Sequence, residues 1–483
     1  MWGKITELSR EFMISRTFVY MLATQLDEMS TECFYDSCLK SPAGEQSDFI
    51  DYILSMRMEG HCSIESISCM MKRFEIDHAS TGFISQYLNQ IGSLLPNTLK
   101  TDDGKIRFAV FASDEIFSKQ TPILVTVDPV SSAILRIELC DTRKAEDWKK
   151  HWECIEDNGI YATYLVCDQG SGLSKAHKEH LSRVFKQTDT YHAIAHQLGQ
   201  WVSRFENSAY KAIEKEYEIW NKLDSAKSEK VIDKRISAYE DACKRSEKKI
   251  ELSENFQYLY CALIEELDVF DKNGILKNRT QSEENIMEGL KLMDTLGCSV
   301  ISKGVKSVEK ILPDLLNYYD VAESIVNNLK CEIEADALQA LCLGWQWRKK
   351  QIKSKTSKYR NYSKENEDFC LDIAKGYLQN EIDTVQKIVY SELDRIIQSS
   401  SMVECINSII RPYLDTSKNQ INQEMLNLIM FYHNHRRYKN GKRKDKTPME
   451  ILTGEKQEKD WIELLRDITS NKENISQIIT VEI

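Results

Sequence analysis

The chain has 483 residues, of which 42% are hydrophobic, 29% charged and 9% aromatic. This composition is typical of a soluble globular protein with about three or four domains. No apolar run approaches the roughly 18 residues that a membrane span needs, and charges at Lys4 and Glu7 interrupt the start of the chain. We therefore expect no membrane span, no signal peptide and a cytoplasmic protein.

The first predicted element is a helix-turn-helix over residues 4–26. A short helix, Thr6–Phe12, is followed by a turn at Met13–Ile14 and by a second helix that begins at a capping serine. A plain helical hairpin fits the same pattern. As a recognition helix, the second helix would offer DNA the side chains Ser15, Arg16, Thr17 and Tyr20.

A similar arrangement returns at Ser63–Leu88, where a helix over Ile64–Phe74, a break at Glu75–Ala79 and a helix through Tyr87 are predicted. Two such modules would read a longer DNA site than one. A helical hairpin is again the alternative. The predicted boundaries are 1–30 for the first module and 31–100 for the second.

After Pro96 the pattern becomes strand-like. The first predicted strand contains Ile106, Phe108 and Val110 and ends at Ser113-Asp114-Glu115. The sequence then indicates the order strand, strand, helix, strand, helix. These later strands are predicted at Ile123–Val127, at Ala133–Leu139 and at Ala162–Cys167, the last being followed by Asp168.

Helical periodicity dominates from about Phe205 to Ile397 and predicts an all-α block at 206–397. It divides a core with a first part at 101–205 and last helices at 398–454. Two of these last helices are predicted at Ser399–Arg411 and Asn419–Tyr438. The charged tail at 455–483 has no assigned role.

Three acidic residues are candidates for catalysis. Asp114 and Asp168 each end a predicted strand, so their carboxylates would emerge side by side if the two strands are neighbours. Glu404 lies on a later amphipathic helix. Its predicted polar face is Ser400, Glu404, Asn407, Ser408 and Arg411, and its predicted apolar face is Val403, Ile406, Ile410 and Leu414.

Three clustered carboxylates repel one another unless a cation neutralises them. Hard oxygen ligands suit Mg²⁺ or Mn²⁺, and two such ions can clamp both oxygens of a phosphoryl transfer. The three acids therefore predict a two-metal site for phosphodiester chemistry.

Two basic islands interrupt a chain whose net charge is −11. Gly344–Lys364 carries eight Lys or Arg and no acid, and His435–Lys446 carries seven against one aspartate. Such clusters can neutralise phosphates locally. Helix packing by the tryptophans and a solvated turn are the alternatives. The predicted DNA contacts are Trp345, Trp347, Arg348, Lys349, Lys350, Asn407, Arg411, Arg436, Arg437, Lys442 and Arg443.

The order of an Asp after a first strand, an Asp after a fourth strand and a Glu on a later helix resembles that of the DDE transposases and retroviral integrases. The stretch Phe431–Tyr438, followed by Lys446–Leu452, is similar to the Tyr-Asn-x-x-Arg segment and the Thr-Pro-x-Glu-x-Leu ending of bacterial insertion-sequence transposases. This second match is the more specific.

The resemblance implies an α/β RNase H-like core, a five-stranded mixed sheet interrupted by a large all-α insertion, with an N-terminal helix-turn-helix region. It implies that Asp114 bridges two Mg²⁺ or Mn²⁺ ions, and that Asp168 and Glu404 each complete one. The reaction would be cleavage at transposon ends and joining to target DNA. The protein would act as a homodimer or larger oligomer on double-stranded DNA, in a bacterial cytoplasm and on the nucleoid.

The spacing departs from the integrase pattern, because 404 − 168 gives 236 positions where a few tens are usual. A large helical insertion accounts for this, and Glu392 is the rival third acid. His192 and His196 are either near the scissile phosphate or purely structural. A catalytically silent DNA-binding descendant and a metal-dependent nuclease without strand transfer are the alternative functions.

Overall fold

The computed structural model describes residues 8–22, 48–101, 104–168, 170–223 and 229–470. The start of the first predicted helix, at Thr6, lies outside these ranges. Contacts divide the chain into two compact units, residues 1–84 and 85–483. None of the helices in the described ranges combines the length and the apolar character that a membrane span requires.

Two helical pairs lie at the predicted places, the first within the N-terminal unit and the second ending beyond residue 84. In the first pair, Met13 has a φ of 50° at the turn, and the Ser15 hydroxyl accepts a hydrogen bond from the Phe18 amide at 3.1 Å, which caps the second helix. Ser63 caps the next pair in the same way. The helices are α1 (8–11), α2 (16–22), α3 (Asp48–Leu54), α4 (Ile64–Arg73) and α5 (Thr81–Leu94), with a π-helical turn at Ser55–Glu59.

A mixed sheet of five strands forms the centre of the second unit, as far as the described residues show. The strand order is β3-β2-β1-β4-β5. Strand β1 pairs antiparallel with β2 and parallel with β4, while β2–β3 is antiparallel and β4–β5 parallel. The strands are β1 (Arg107–Ser118), β2 (Thr121–Val127), β3 (Ile134–Leu139), β4 (Ile160–Cys167) and β5 (Lys186–Thr188).

The predicted end of β1 at Ser113–Glu115 is wrong. The strand continues to Ser118 because each residue from Asp114 onward still pairs with β2, as Asp114 does with Val125. Its pairing with β4, in contrast, stops at Ser113. Strand β1 therefore pairs with β2 over five more residues at its carboxyl end than it does with β4.

Two helices, α6 (Ala145–Glu156) and α7 (Ser171–His180), follow the strands as predicted. Trp148 and Trp152 of α6 are fully buried, and the Trp152 indole donates a hydrogen bond to the Ser113 hydroxyl at 3.1 Å. Burying each large apolar side chain contributes about 2–3 kcal/mol. These contacts hold α6 against the strand that carries Asp114.

The all-α block is attached to the edge of the sheet through β5. The Gln187 side chain accepts from the Tyr318 amide and donates to the Leu315 carbonyl, each at 2.7 Å. Its helices are α8 (Gln200–Leu223), α9 (Glu229–Glu266), α10 (Arg279–Asp294), α11 (Ser299–Leu315), α12 (Tyr318–Leu329), α13 (Ala335–Lys353), α14 (Ser357–Leu378) and α15 (Ile382–Leu393), with a π-helical segment before α8 (Tyr191–Gly199) and a 3-10 turn between α14 and α15 (Gln379–Glu381).

The last helices differ in length from the prediction. The helix predicted at Ser399–Arg411 begins two residues later and continues through Pro412, and the one predicted at Asn419–Tyr438 is shorter at both ends. The tail contributes a helix that the prediction lacks, with Trp461 buried against Tyr432 at a ring distance of 4.8 Å. The helices are α16 (Ser401–Thr416), α17 (Gln423–His435), α18 (Pro448–Thr453) and α19 (Trp461–Ser470).

Candidate functional site

Asp114 and Asp168 occupy adjacent positions at one edge of the sheet. The parallel ladder of β1 and β4 ends with the pair Ser113 and Cys167, and each aspartate is the next residue along its strand. The two strands are thus neighbours, which is the condition under which the sequence places the two carboxylates side by side. Asp168 is held by a hydrogen bond from the Gly170 amide to its Oδ1, at 2.7 Å.

The segment just before α16 is tied to the sheet across more than 200 positions of sequence. The Tyr164 hydroxyl on β4 donates to the Arg395 carbonyl at 3.0 Å and accepts from the Ile397 amide at 3.1 Å. After β5, the buried Asp189 carboxylate accepts hydrogen bonds from the Ser400 amide, at 2.8 Å, and from its hydroxyl. These contacts bring α16 to the edge where the two aspartates lie.

Sequence reasoning missed both anchoring residues. A sequence signal existed for Asp189, which is an acid between a short strand and a helical segment. Tyr164 offered none, because a tyrosine on a buried strand is an ordinary core residue.

Helix α16 packs with the predicted apolar face inward: Val403, Ile406, Ile410 and Leu414 are all buried. The predicted polar face needs two corrections, because Ser400 and Asn407 are each only 2% exposed. Ser400 is bound to Asp189, and the amide nitrogen of Asn407 lies 3.5 Å from Asp114 Oδ2. The Asn407 Oδ1 atom is buried without a partner among the described residues. Asn407 therefore lies below the acids.

The electrostatics connect the three acids. Burial, together with the negative charges of Asp168, Glu115 and Glu404, raises the pKa of Asp114 to about 7, although a hydrogen bond from the Glu115 amide acts in the opposite direction. The rival third acid, Glu392, forms an ion pair with Arg395. Glu404 is thus one of the charges that raise this pKa, whereas Glu392 is engaged elsewhere.

The acids are near one another without forming a closed metal site. The Glu404 side chain is 44% exposed and lies 3.7 Å from a guanidinium nitrogen of Arg411. Within the ranges that the structure describes, no three Asp, Glu, His or Cys side chains come together closely enough to bind an ion. The carboxylate donors suit Mg²⁺ or Mn²⁺, but Glu404 has to leave Arg411 to join the two aspartates.

The two basic islands, which are 435 − 364 = 71 positions apart in sequence, meet at one carboxylate. Asp394 forms an ion pair with Lys349 of the first island, at 3.5 Å, and another with Lys442 of the second island, at 3.0 Å. It also accepts a hydrogen bond from the Trp345 indole at 3.0 Å. Trp345 is buried in the core of the helical block, which favours the packing alternative for this residue.

The rest of the first island is partly neutralised. Lys350 pairs with Asp268 at 2.5 Å and lies 5.0 Å from the centre of the Trp347 ring. Trp347 is half-buried and meets Tyr362 edge to face. Arg348 lies over the Tyr390 ring. Lys350 and Arg348 of the first island are thus each in contact with an aromatic ring, and Lys350 also with an acid.

In the second island, the family-like motif forms a brace. Asn434 makes two hydrogen bonds with the Ile134 backbone of β3, at 2.8 and 2.9 Å. Arg437 reaches both oxygens of Glu450 at 2.9 Å. The same Glu450 completes a capping box with Thr447 at the start of α18. The more specific half of the sequence resemblance therefore consists of residues that hold the fold together.

The remaining predicted contacts are in different surroundings. Arg436 lies over the Tyr432 ring at 5.2 Å, and Arg443 donates to the carbonyls of Pro129 and Val130. The His192 amide donates to Asp189, while the side chain of His196 lies outside the described residues. The predicted DNA contacts on or next to α2 are all exposed: Ser15, Arg16, Thr17 and Tyr20.

No protein-family model matches the chain. A comparison with curated proteins finds no match either. The interpretation of the site therefore depends on its own residues and on the resemblance in its motifs.

Proposed function

We propose that the protein is a DNA transposase that cuts transposon ends and joins them to target DNA, with Asp114, Asp168 and Glu404 as its catalytic acids. The RNase H-like interpretation of the core and the helix-turn-helix interpretation of the N-terminal unit are part of this proposal. The observation that carries it is that Asp114 and Asp168 follow the last paired residues of β1 and β4, and that burial together with the charges of Asp168, Glu115 and Glu404 raises the pKa of Asp114.

The three carboxylates would hold one or two Mg²⁺ or Mn²⁺ ions, which supply a nucleophile at neutral pH and stabilise developing charge on the phosphate. The other residues position these acids. Asn407 orients the Asp114 carboxylate from below, and Asp189 holds the start of the helix that carries Glu404. Glu404 would exchange its ion pair with Arg411 for a metal ion. Arg411 would then be available to bind a DNA phosphate.

A catalytically silent DNA-binding protein is the second candidate. The observation in its favour is the ion pair between Glu404 and Arg411, which leaves the acid set incomplete in the described structure. In that case the same fold would bind DNA ends without cutting them.

A cleavage and strand-transfer assay separates the two functions. The full-length chain is incubated with Mg²⁺ or Mn²⁺ and DNA that carries the ends of its own element, and Glu404→Gln is compared with Glu392→Gln. We expect wild-type and Glu392→Gln to cut and join, and Glu404→Gln to lose at least about 100-fold in rate, as removal of a catalytic group does.

Binding of the ends without any cutting by the wild-type protein would favour the silent DNA-binding function. Cutting without joining would indicate a nuclease. Equal loss in both variants would mean that Glu404 is not the third acid.

A further inference from the structure

A cleft of about 800 Å³ lies beside the start of α16, where the two basic islands meet. Its walls come from α13, from the 394–402 segment and from Lys442 and Arg443. Ser401 and Met402 on its wall are in the first turn of α16, and Glu404 is in the same turn. The cleft therefore adjoins the start of the helix that carries Glu404.

The cleft contains more positive than negative charge. Six cations line it, Lys349, Lys350, Lys353, Lys355, Lys442 and Arg443, against three acids, Glu265, Asp268 and Asp394. Two of the cations, Lys353 and Lys355, form no ion pair within the described part of the chain, and the Arg443 Nε is buried there without a hydrogen-bond partner. The cleft is thus suited to further anionic charge.

Asp394 occupies the position that such an anion would take. Its two oxygens together accept from the Trp345 indole, from Lys349 and from Lys442. Two ammonium groups and one N–H aimed at one carboxylate form the kind of donor set that also binds a phosphate. A phosphate could therefore take over these donors if it displaced Asp394.

The dimensions favour a single strand. A volume of about 800 Å³ falls in the range of sites for one molecule of modest size, about 300–1,000 Å³. It is too small to enclose a double helix, which is wider than its own major groove of about 12 Å. The exposed ring of Tyr359 on the wall provides a surface on which a base can stack.

We propose that this cleft binds an unpaired stretch of DNA next to the scissile position, and that Asp394 holds the place of one of its phosphates until the strand enters. The proposal extends the proposed function by naming the DNA segment and its counter-ion, and it rests on that function for the choice of DNA. Asp394 acts here as a positioning residue, since it would leave the donors when the strand binds.

The test is binding of a labelled 12-nucleotide oligothymidine, measured by fluorescence anisotropy in EDTA. Asp394→Asn is compared with Asp372→Asn, which removes the same charge from an exposed position on α14. We expect Asp394→Asn to bind about threefold or more tightly than wild type, because it no longer competes for the lysines, and Asp372→Asn to change little. Lys442→Gln should weaken binding and reduce the slope of log affinity against log salt concentration by about 0.7, the value for one phosphate contact of a single strand.

Because no metal is present, this binding is measured whether or not the protein cuts DNA. Equal affinity of Asp394→Asn and wild type would overturn the proposal. The proposal would also be overturned if the two aspartate variants had equal effects, or if a 12-base-pair duplex bound as tightly as the single strand. A third contrary result would be displacement of the oligonucleotide by inorganic phosphate or thymidine monophosphate at a concentration 10-fold below that of the oligonucleotide. A circular dichroism spectrum unchanged from wild type shows that each variant is folded.

Discussion

The edge of the sheet that carries the acids and the brace formed by Asn434, Arg437 and Glu450 differ in how well their polar groups are satisfied. In the brace, each of these side chains has close partners of opposite charge or matching hydrogen-bond type. At the edge, Asp114 is repelled by its acidic neighbours and Asn407 Oδ1 has no partner among the described residues.

This difference separates two roles. Polar groups that hold a fold are normally satisfied, whereas groups that await a ligand or a reaction often are not. The motif that most resembles transposases is in the first class, and the acids that would perform the chemistry are in the second. We therefore expect changes in the brace to affect stability and changes at the edge to affect activity.

The largest expected effect on stability comes from pH. Burial lowers the pKa of His433 on α17 to about 4, and burial lowers that of His151 on α6 to about 4. In the unfolded chain both would titrate near 6.5. The unfolded state thus takes up protons first, and stability is complete above pH 6.5 and falls as the pH decreases toward 4.

We expect each histidine to remove about 2 kcal/mol of stability between pH 6.5 and pH 5. Scanning calorimetry at pH 7, 6 and 5 measures this as a falling Tm. His433→Gln keeps a donor for the Ser132 carbonyl, which His433 contacts at 2.8 Å, and should have a smaller pH slope. A slope equal to that of wild type would show that His433 is already charged or exposed in the native protein.

A smaller effect is expected from Arg437→Ala. The variant loses both hydrogen bonds to Glu450, at 2.9 Å, and one to the Asp445 carbonyl at 2.8 Å. Because Arg437 is partly exposed, we expect a loss of about 1–2 kcal/mol, which calorimetry detects as a lower Tm, with cleavage by the folded protein retained. Lys456→Ala, which breaks an exposed pair with Glu458, is the control and should change Tm little.

The opposite pattern in Arg437→Ala, an unchanged Tm with cleavage lost, would place this arginine in the active site. The brace and the edge would then not differ as described above.

Four of the five strands were predicted from the sequence because local patterns specify them. Alternation in β1 and β4 and an aspartate after each paired segment are visible over a few residues. The apolar face of α16 was predicted for the same reason. The end of β1 was not, since it depends on β2 continuing to pair where β4 stops.

The features that position the site depend on distant contacts. A helical-wheel pattern assigns Asn407 to a solvated face, and only the packing of α16 on β1 shows that it lies beneath Asp114. The Tyr164 and Asp189 contacts join residues more than 200 positions apart. The helix at Trp461 was missed because the charges around it resemble a solvated tail.

The central claim is that Asp114 is a catalytic carboxylate at a site with uncompensated charge, and one comparison tests it directly. Asp114→Asn keeps the shape of the side chain and the acceptor for the Glu115 amide. We expect this variant to lose metal-dependent cleavage of the element's ends by at least about 1,000-fold, and to melt in EDTA at the same temperature as wild type or higher, because a repelled, buried charge has been removed. Retained cleavage, or a marked fall in Tm, would contradict the account.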